Sequence, residues 1–201
     1  MEPLSQKAFD LITNAEGLDQ PGEFPGGGSG VTIGIGYDLG FVTAQELQTD
    51  WGTHLSAAVI DRLKTAIGLT GPAAKNKARD FKDIHITRAD ALAVFRASTI
   101  PETQRTTARA FPGIDQLPAD AQGALVSLIY NRGPKMDGER RTEMRAIRAA
   151  VGSPTLSLPA KLREIAAQLR AMKRLWIGKG LDGLIKRRED EARLIESTVP
   201  H

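Results

Sequence analysis

Two carboxyl groups and one hydroxyl near the amino terminus are the side chains best suited to chemistry in this sequence of 201 residues. Glu16 follows an apolar spacing that predicts an amphipathic helix over residues 4–16, and it falls on or beside the buried face. Partial burial and the negative end of the helix dipole are expected to raise the pKa of Glu16. A carboxyl that stays protonated near neutral pH is a good general acid. The alternative is an ordinary glutamate that ends a helix and pairs with a basic residue.

The glycine-rich stretch 25–40 is expected to hold the other two groups, Thr32 and Asp38, in a β-hairpin. Residues 31–33 and 35–37 are predicted to form two short strands with a turn or bulge between them. The alternation of β-branched residues favours this hairpin over a flexible linker.

The remainder of the chain carries helical patterns. Thr43 and Glu46 form the spacing of a capping box, and Thr87 is a second predicted N-cap. The most hydrophobic segment begins at Pro118 and predicts a central buried helix. A kink or break is expected at Ile100-Pro101, because proline cannot donate a backbone hydrogen bond. Other helical patterns cover residues 58–67, 88–111, 139–151, 159–176 and 184–197.

These elements predict a mainly α protein of the α+β class that forms one domain over residues 1–201. Its parts are the first helix, a small β-hairpin lobe over residues 17–42 and a larger helical lobe over residues 43–201. A cleft between the two lobes is the expected ligand site.

Composition limits the classes of partner. The formal net charge is only +3, but lysine and arginine concentrate in residues 140–148 and 161–188. A basic face attracts nucleic acid, anionic lipid or an anionic wall polymer, and the alternative is a solvated helix surface. No run of about eighteen apolar residues predicts a transmembrane helix. The first residues lack a basic region followed by an apolar run, so no signal peptide is expected.

Two further kinds of site are not expected. Leu39 stands where the nucleotide-binding pattern G-x-G-x-x-G requires its last glycine. His54, His85 and His201 lack metal-ligand spacing, and the chain has no cysteine. We therefore predict no metal and no cofactor.

Four segments together resemble a known family. Residues 16–18 (Glu-Gly-Leu) and 29–40, which contain Thr-Ile-Gly-Ile-Gly-Tyr, resemble the bacteriophage-type lysozymes (glycoside hydrolase family 24). The form of the second segment is most similar to the pesticin-like branch. Residues 124–133 resemble the central helix of that family, and residues 183–191 resemble its terminal Gly-Leu-x-x-Arg-Arg-x-x-Glu segment.

The resemblance implies a role for each matching residue. Glu16 matches the general acid, and Thr32 matches the hairpin threonine that helps to hold the attacking water. The common phage enzymes place their second acid six residues before that threonine, where this chain has Gly26. In the pesticin-like branch the acid follows the threonine by six residues, and Asp38 matches it. Glu23 is the alternative second carboxylate.

Aromatic and basic residues add weaker expectations. Tyr37 either stacks on a sugar as a substrate-binding residue or packs within the hairpin. Trp51 and Trp176 are expected in the core rather than at a saccharide platform. Arg187 or Arg188 either reaches Glu16 or is a surface arginine.

The family implies a muramidase that cleaves the glycan strands of peptidoglycan. We expect Asp38 to stay ionised and the reaction to invert configuration, with the two carboxyl groups roughly 6.5–9.5 Å apart. The expected protein is a monomer without membrane insertion or nucleic-acid binding, made in the cytoplasm and active on the wall as a phage endolysin or a delivered toxin. The alternatives are a non-catalytic module that binds wall or nucleic acid through its basic helices, and a chitinase-like or transglycosylase activity on the same fold.

Overall fold

The computed structural model describes residues 3–200 and is mostly helical, with one two-stranded antiparallel sheet in that range. This confirms the predicted α+β class. The chain divides into two compact units. We call residues 16–101 the hairpin unit, and residues up to 15 together with those from 102 onward the helical unit. The hairpin expected over residues 17–42 is thus part of a unit that also contains helices.

The helical unit is built around α7 (Ala119–Arg132), whose residues 121–129 are all buried. This confirms the predicted central helix. Helices α1 (Gln6–Thr13) and α10 (Asp182–Glu196) contact α7, and α9 (Leu158–Ala171) contacts both α8 (Thr142–Gly152) and α10. Gly123 permits the close approach of α1, since a Cβ built there would lie 2.2 Å from the Cβ of Ala8. The unit also contains α6 (Ile100–Ala110), which begins at the end of the hairpin unit. Short 3-10 turns lie at Ile114–Gln116, Glu139–Arg141 and Met172–Leu175.

The hairpin unit contains the sheet and four helices within the described residues. Both predicted caps are confirmed: Thr43 and Glu46 form a reciprocal capping box, and the Thr87 side chain accepts from the amide of Asp90. The break expected at Ile100-Pro101 does not occur, because a π-helical turn over Phe95–Thr99 leads directly into α6, which begins at Ile100 and includes Pro101. The elements are β1 (Thr32–Ile33), β2 (Tyr37–Asp38), a 3-10 turn at Leu39–Phe41, α2 (Ala44–Trp51), α3 (Ala57–Lys64), α4 (Gly71–Ala78) with a 3-10 turn at Arg79–Phe81, and α5 (Arg88–Val94).

The hairpin turn differs from the prediction. Ile35 and Gly36 belong to the turn and not to the second strand, which begins at Tyr37. Gly34 and Gly36 both have φ of +66°, a conformation that glycine adopts without strain. Gly34 also lies against an indole, since a Cβ there would be 2.8 Å from Cη2 of Trp51.

Helix α1 is shorter than the apolar spacing predicts. It begins at Gln6, because the Ser5 hydroxyl accepts from the amide of Ala8 at 3.1 Å, and it ends at Thr13. Glu16 therefore lies beyond the helix instead of within its last turn. No helix among residues 3–200 is long and apolar enough to cross a membrane.

Candidate active site

Glu16 lies half-buried on the short segment that follows α1. Three residues later, Asp19 pairs with Gly34 in an antiparallel bridge, with N to O distances of 2.7 Å and 2.9 Å in the two directions. The Asp19 carboxylate also accepts from the amide of Gly36 at 3.1 Å. The backbone that carries Glu16 is therefore anchored to the hairpin turn. Only the structure reveals that Asp19 anchors this segment to the hairpin turn.

Gln20 adds a second anchor to the same segment. Its side-chain amide donates to the carbonyl of Ile86 at 3.1 Å and accepts from the Ile86 amide at 2.8 Å. The Gln20 side chain thus forms the same pair of hydrogen bonds with the Ile86 backbone that the backbone of a paired β-strand would form. A lone glutamine in a loop carries no pattern that predicts such a pairing.

Thr32 and Asp38 face each other across the hairpin. They are register partners in β1 and β2, so their side chains lie on the same face of the sheet. Thr32 is 5% exposed, and its hydroxyl donates to the carbonyl of Gly30 at 3.5 Å. A hydrogen bond of that length is weak, so the hydroxyl can exchange this partner for another.

The Asp38 carboxylate is fixed by two backbone amides. The amide of Gly30 donates to both of its oxygens, at 2.9 Å and 3.0 Å, and the amide of Gly40 donates to Oδ1 at 2.8 Å. A Cβ on Gly30 would lie 2.2 Å from Oδ1 of Asp38 and 2.4 Å from the Gly40 nitrogen. Residue 30 is therefore a glycine because the carboxylate occupies that space. Glu23, the alternative second carboxylate, is exposed in a turn.

Tyr37 packs into the hairpin unit, so the structure favours the second of its two expected roles. It is 8% exposed, and its hydroxyl donates to Asp50 at 2.9 Å. Its ring meets Trp51 edge to face at 5.9 Å. Burial, followed by the hydrogen bond to Asp50, raises the pKa of the Tyr37 hydroxyl far above its ordinary value. Trp51 and Trp176 are both buried, as predicted.

Arg187 and Arg188 belong to a buried network in the helical unit. Arg188 donates to Glu191 at 2.7 Å, and Ser127 donates to the same carboxylate oxygen at 2.6 Å. Arg187 donates to the Ser127 hydroxyl at 3.2 Å. The Arg-Arg-x-x-Glu spacing of residues 187–191 therefore places two guanidinium groups around one carboxylate.

Glu16, Thr32 and Asp38 thus all belong to the hairpin unit, on segments that backbone hydrogen bonds connect. Carboxyl and hydroxyl groups of this kind can move a proton and hold a water, which is the chemistry of acid–base hydrolysis. Among residues 3–200, no group of three side chains has the arrangement of a metal site.

Comparison with known proteins identifies a family for this chain. The model of one protein family, described as "Pesticin: Bacterial toxin homologue of phage lysozyme, C-term", matches residues 7–149. The matched range includes α1, the hairpin and the central helix α7. No curated protein matches the chain at a significant level. Since the match covers more than half of the sequence, this chain belongs to the pesticin family of phage lysozyme homologues.

Proposed function

We propose that this protein is a muramidase that hydrolyses the β-1,4 bond between N-acetylmuramic acid and N-acetylglucosamine in peptidoglycan. The observation that carries the proposal is the pairing of Thr32 with Asp38 across a hairpin to which the segment after Glu16 is hydrogen-bonded. Membership of the family supports a glycoside hydrolase of the lysozyme type. The substrate and the roles of the three residues are our proposal.

In the proposed reaction Glu16 is the general acid. It donates its proton to the glycosidic oxygen as the bond from that oxygen to C1 of the sugar breaks. A water held by the Thr32 hydroxyl attacks C1 from the opposite face, and its proton passes to the Asp38 carboxylate. The new hydroxyl lies on the opposite side of C1, so the reaction inverts configuration.

The test is release of reducing ends from purified peptidoglycan, with mass analysis of the fragments. Glu16→Gln and Asp38→Asn each remove a carboxylate and keep its shape, so we expect each to lower the rate by about 100-fold or more. Thr32→Ala should lower the rate less. Glu164→Gln, which alters an exposed carboxylate on α9, is the matched control and should keep full activity.

Other outcomes of this assay would point to a different second carboxylate or to a different reaction. If Glu16→Gln is inactive and Asp38→Asn remains active, Glu23→Gln becomes the next variant. Fragments with anhydro-muramic ends indicate a transglycosylase, and cleavage of chitin oligomers in preference to peptidoglycan indicates a chitinase-like enzyme. Absence of any cleavage from several wall types contradicts the muramidase proposal.

The ion pairs weigh against a non-catalytic module that binds through basic helices. Arg170 and Lys173 both bind Glu189, and Lys186 binds Asp190. Several cations of residues 161–188 are therefore neutralised by the protein itself. Wall binding that disappears with added salt and is unchanged in Glu16→Gln would favour the binding module nevertheless.

We propose further that the protein acts on peptidoglycan as a monomer, without cofactor, in the periplasm or outside the cell. Release by a phage and delivery as a toxin are both compatible with this chemistry. Lysis of intact cells by added protein, compared with lysis after expression inside the cell, tests the route.

A further inference from the structure

Phe41 is the most exposed large hydrophobic residue among residues 3–200, with 74% of its surface open to solvent. It lies in the hairpin unit, in the 3-10 turn Leu39–Phe41 that directly follows Asp38. Tyr37, for which a sugar contact was one of two expected roles, packs inside the same unit. An exposed phenylalanine gains the free energy of burial only when a ligand covers its ring.

Backbone and side-chain hydrogen bonds fix the turn that carries Phe41. The Asp38 carboxylate accepts from the amide of Gly40 at 2.8 Å, and the carbonyl of Leu39 accepts from the amide of Gly68 at 3.1 Å. Three peptide links span at most about 11 Å, so the Cα atoms of Asp38 and Phe41 lie no farther apart than that. The backbone of Phe41 is therefore held near a proposed catalytic carboxylate before any ligand binds.

Thr70 lies against the same turn and carries a hydroxyl that the fold does not use as a cap. A Cβ built on Gly40 would be 2.8 Å from Cγ2 of Thr70. Thr70 is the exposed N-cap residue of α4, yet its side chain makes no cap hydrogen bond. Pro72 occupies the second position of that helix and has no N–H to donate to the hydroxyl. We call Phe41 and Thr70 together the aromatic surface.

Hydrogen bonds also join the aromatic surface to the segment before β1. The amide of Gly71 donates to the carbonyl of Ser29 at 2.9 Å, and the amide of Gly30 donates to both oxygens of the Asp38 carboxylate. All of these segments belong to the hairpin unit. The position of the aromatic surface beside Asp38 is therefore a property of that unit alone.

An apolar ring beside an available hydroxyl fits a sugar. A β-linked amino sugar presents C–H groups on the faces of its ring, and these pack on an aromatic side chain. Its hydroxyl and N-acetyl groups lie at the edge of the ring, where they can bond to a threonine hydroxyl. Ligand sites generally combine aromatic contact with a few placed polar groups in this way. An acyl chain would also cover Phe41, but the proximity of Asp38 favours the strand on which that carboxylate is proposed to act.

We propose that the aromatic surface binds a sugar ring of the glycan strand, with Phe41 stacked on the ring and the Thr70 hydroxyl bonded to one of its polar substituents. The inference rests on the proposed function, because it assigns this sugar to the strand that is cleaved beside Asp38. Phe41 is then a substrate-binding residue in the role for which Tyr37 was one candidate.

Binding of a peptide-free hexasaccharide from the glycan strand to the full chain carrying Glu16→Gln tests the proposal, because that variant should not cleave the ligand. Adding Phe41→Ala should weaken binding by about tenfold, since it removes most of the apolar area that a sugar covers. Adding Thr70→Val, which keeps the shape of the side chain, should weaken binding by about threefold or more. Unfolding of the Thr70 variant should stay near wild type, because no cap hydrogen bond is lost.

Phe41→Trp in the same chain is the conservative variant and also a reporter. It should keep the affinity, and the emission of the new indole should shift when the hexasaccharide binds, since the ring becomes covered. Ile177→Ala is the matched control, because Ile177 is 65% exposed in the helical unit, and it should leave the affinity unchanged.

Undiminished binding in Phe41→Ala, or unchanged emission of Phe41→Trp at saturating hexasaccharide, overturns the proposal. Absence of hexasaccharide binding to the Glu16→Gln chain overturns it as well. A shift caused by vesicles of phosphatidylglycerol and phosphatidylcholine, and not by the hexasaccharide, also overturns it, because the surface then binds lipid.

Kinetics separate this proposal from the muramidase proposal. In the otherwise wild-type chain, Phe41→Ala should raise KM by about tenfold and leave kcat nearly unchanged, as expected for a contact made equally in the ground state and the transition state. Cleavage by wild type with an unchanged KM in Phe41→Ala contradicts the sugar contact alone. Hexasaccharide binding that depends on Phe41, without cleavage of any wall by wild type, contradicts the muramidase proposal alone.

Discussion

At the scale of single residues, the hairpin shows why particular glycines are needed beside a carboxylate. Gly30 leaves room for the Asp38 side chain, and its amide binds both carboxylate oxygens. Gly34 and Gly36 supply the positive φ angles of the turn, and their backbone groups bind Asp19. At Gly30 a side chain would therefore collide with the Asp38 carboxylate, and at Gly34 and Gly36 it would strain the turn that binds Asp19.

Gly30→Ala should displace the Asp38 carboxylate. The added Cβ meets Oδ1 and the Gly40 nitrogen within 2.4 Å, which the backbone cannot absorb without moving. We expect a loss of about 1–3 kcal/mol in the free energy of unfolding and at least a tenfold loss of wall cleavage. Denaturant unfolding and the reducing-end assay measure the two effects.

Gly28→Ala is the control for this variant. A Cβ at Gly28 meets nothing within 4 Å, so stability and cleavage should both stay near wild type. Equal activities of the two alanine variants would mean that the position of Asp38 does not matter for the reaction.

At the scale of elements, α7 and α10 hold the helical unit together by two different means. Helix α7 is buried along residues 121–129 and contacts α1 at Gly123. Ion pairs join helix α10 to α9 and to the 3-10 turn that follows α9. Glu189 accepts from Arg170 of α9 and from Lys173 of the turn, and Arg170 also binds Glu196. The first contact depends on the absence of a side chain, and the second depends on charge.

Gly123→Ala should destabilise the contact between α1 and α7. The new Cβ would lie 2.2 Å from the Cβ of Ala8, so the two helices must separate. We expect a loss of about 1–3 kcal/mol in the free energy of unfolding. Gly183→Ala on α10, where a Cβ meets nothing within 4 Å, should instead be neutral or stabilise by up to about 1 kcal/mol. Chemical denaturation of both variants checks the contrast, and equal effects would contradict it.

Glu189→Gln should change how stability depends on pH. Hydrogen bonds from Arg170 and then Lys173 lower the pKa of Glu189 to about 2, below its ordinary value of about 4.3. The stability that the ionised group contributes is thus complete above about pH 5 and is lost as the pH falls toward about 2. Wild type should exceed the variant in stability at pH 7, and the difference should shrink over that acid range. Urea titrations across pH would refute this if the difference stayed constant.

At the scale of the whole molecule, the protein consists of two compact units with different contents. The hairpin unit contains the sheet and the proposed catalytic groups. The helical unit contains a large apolar core and, within it, fully buried charges on Arg188 and Glu191. Stability of the helical unit therefore depends on charges that must remain paired.

Glu191→Gln should cost about 3–5 kcal/mol in the free energy of unfolding, because it leaves Arg188 buried without a counter-charge. Both residues are 0% exposed, so water cannot compensate for the lost carboxylate. Replacing the pair together, by Glu191→Leu with Arg188→Met, should recover most of the loss. Thermal and denaturant unfolding of the single and double variants measure the loss of stability and its recovery. A single variant as stable as wild type would show that the pair contributes nothing.

The sequence by itself determined the features that arise from nearby residues. Capping residues predicted the starts of α2 and α5, the apolar pattern predicted the buried α7, and the spacing of Glu16, Thr32 and Asp38 identified the family. Each of these predictions depends on residues that lie near one another in the sequence, because propensity and periodicity are properties of short segments.

Only the tertiary structure decided which distant groups meet. The bridge from Asp19 to Gly34, the Asp38 carboxylate on the Gly30 amide and the Tyr37 hydroxyl on Asp50 join residues 8 to 15 positions apart. The hydrogen bond from Ser127 to Glu191 joins α7 to α10 across a longer separation. Such contacts depend on how whole elements pack, and a residue's type does not specify its partner among many equally suitable groups. The family and the candidate groups were thus readable in the sequence, while the anchoring of the segment after Glu16, the burial of Tyr37 and the network around Glu191 required the fold.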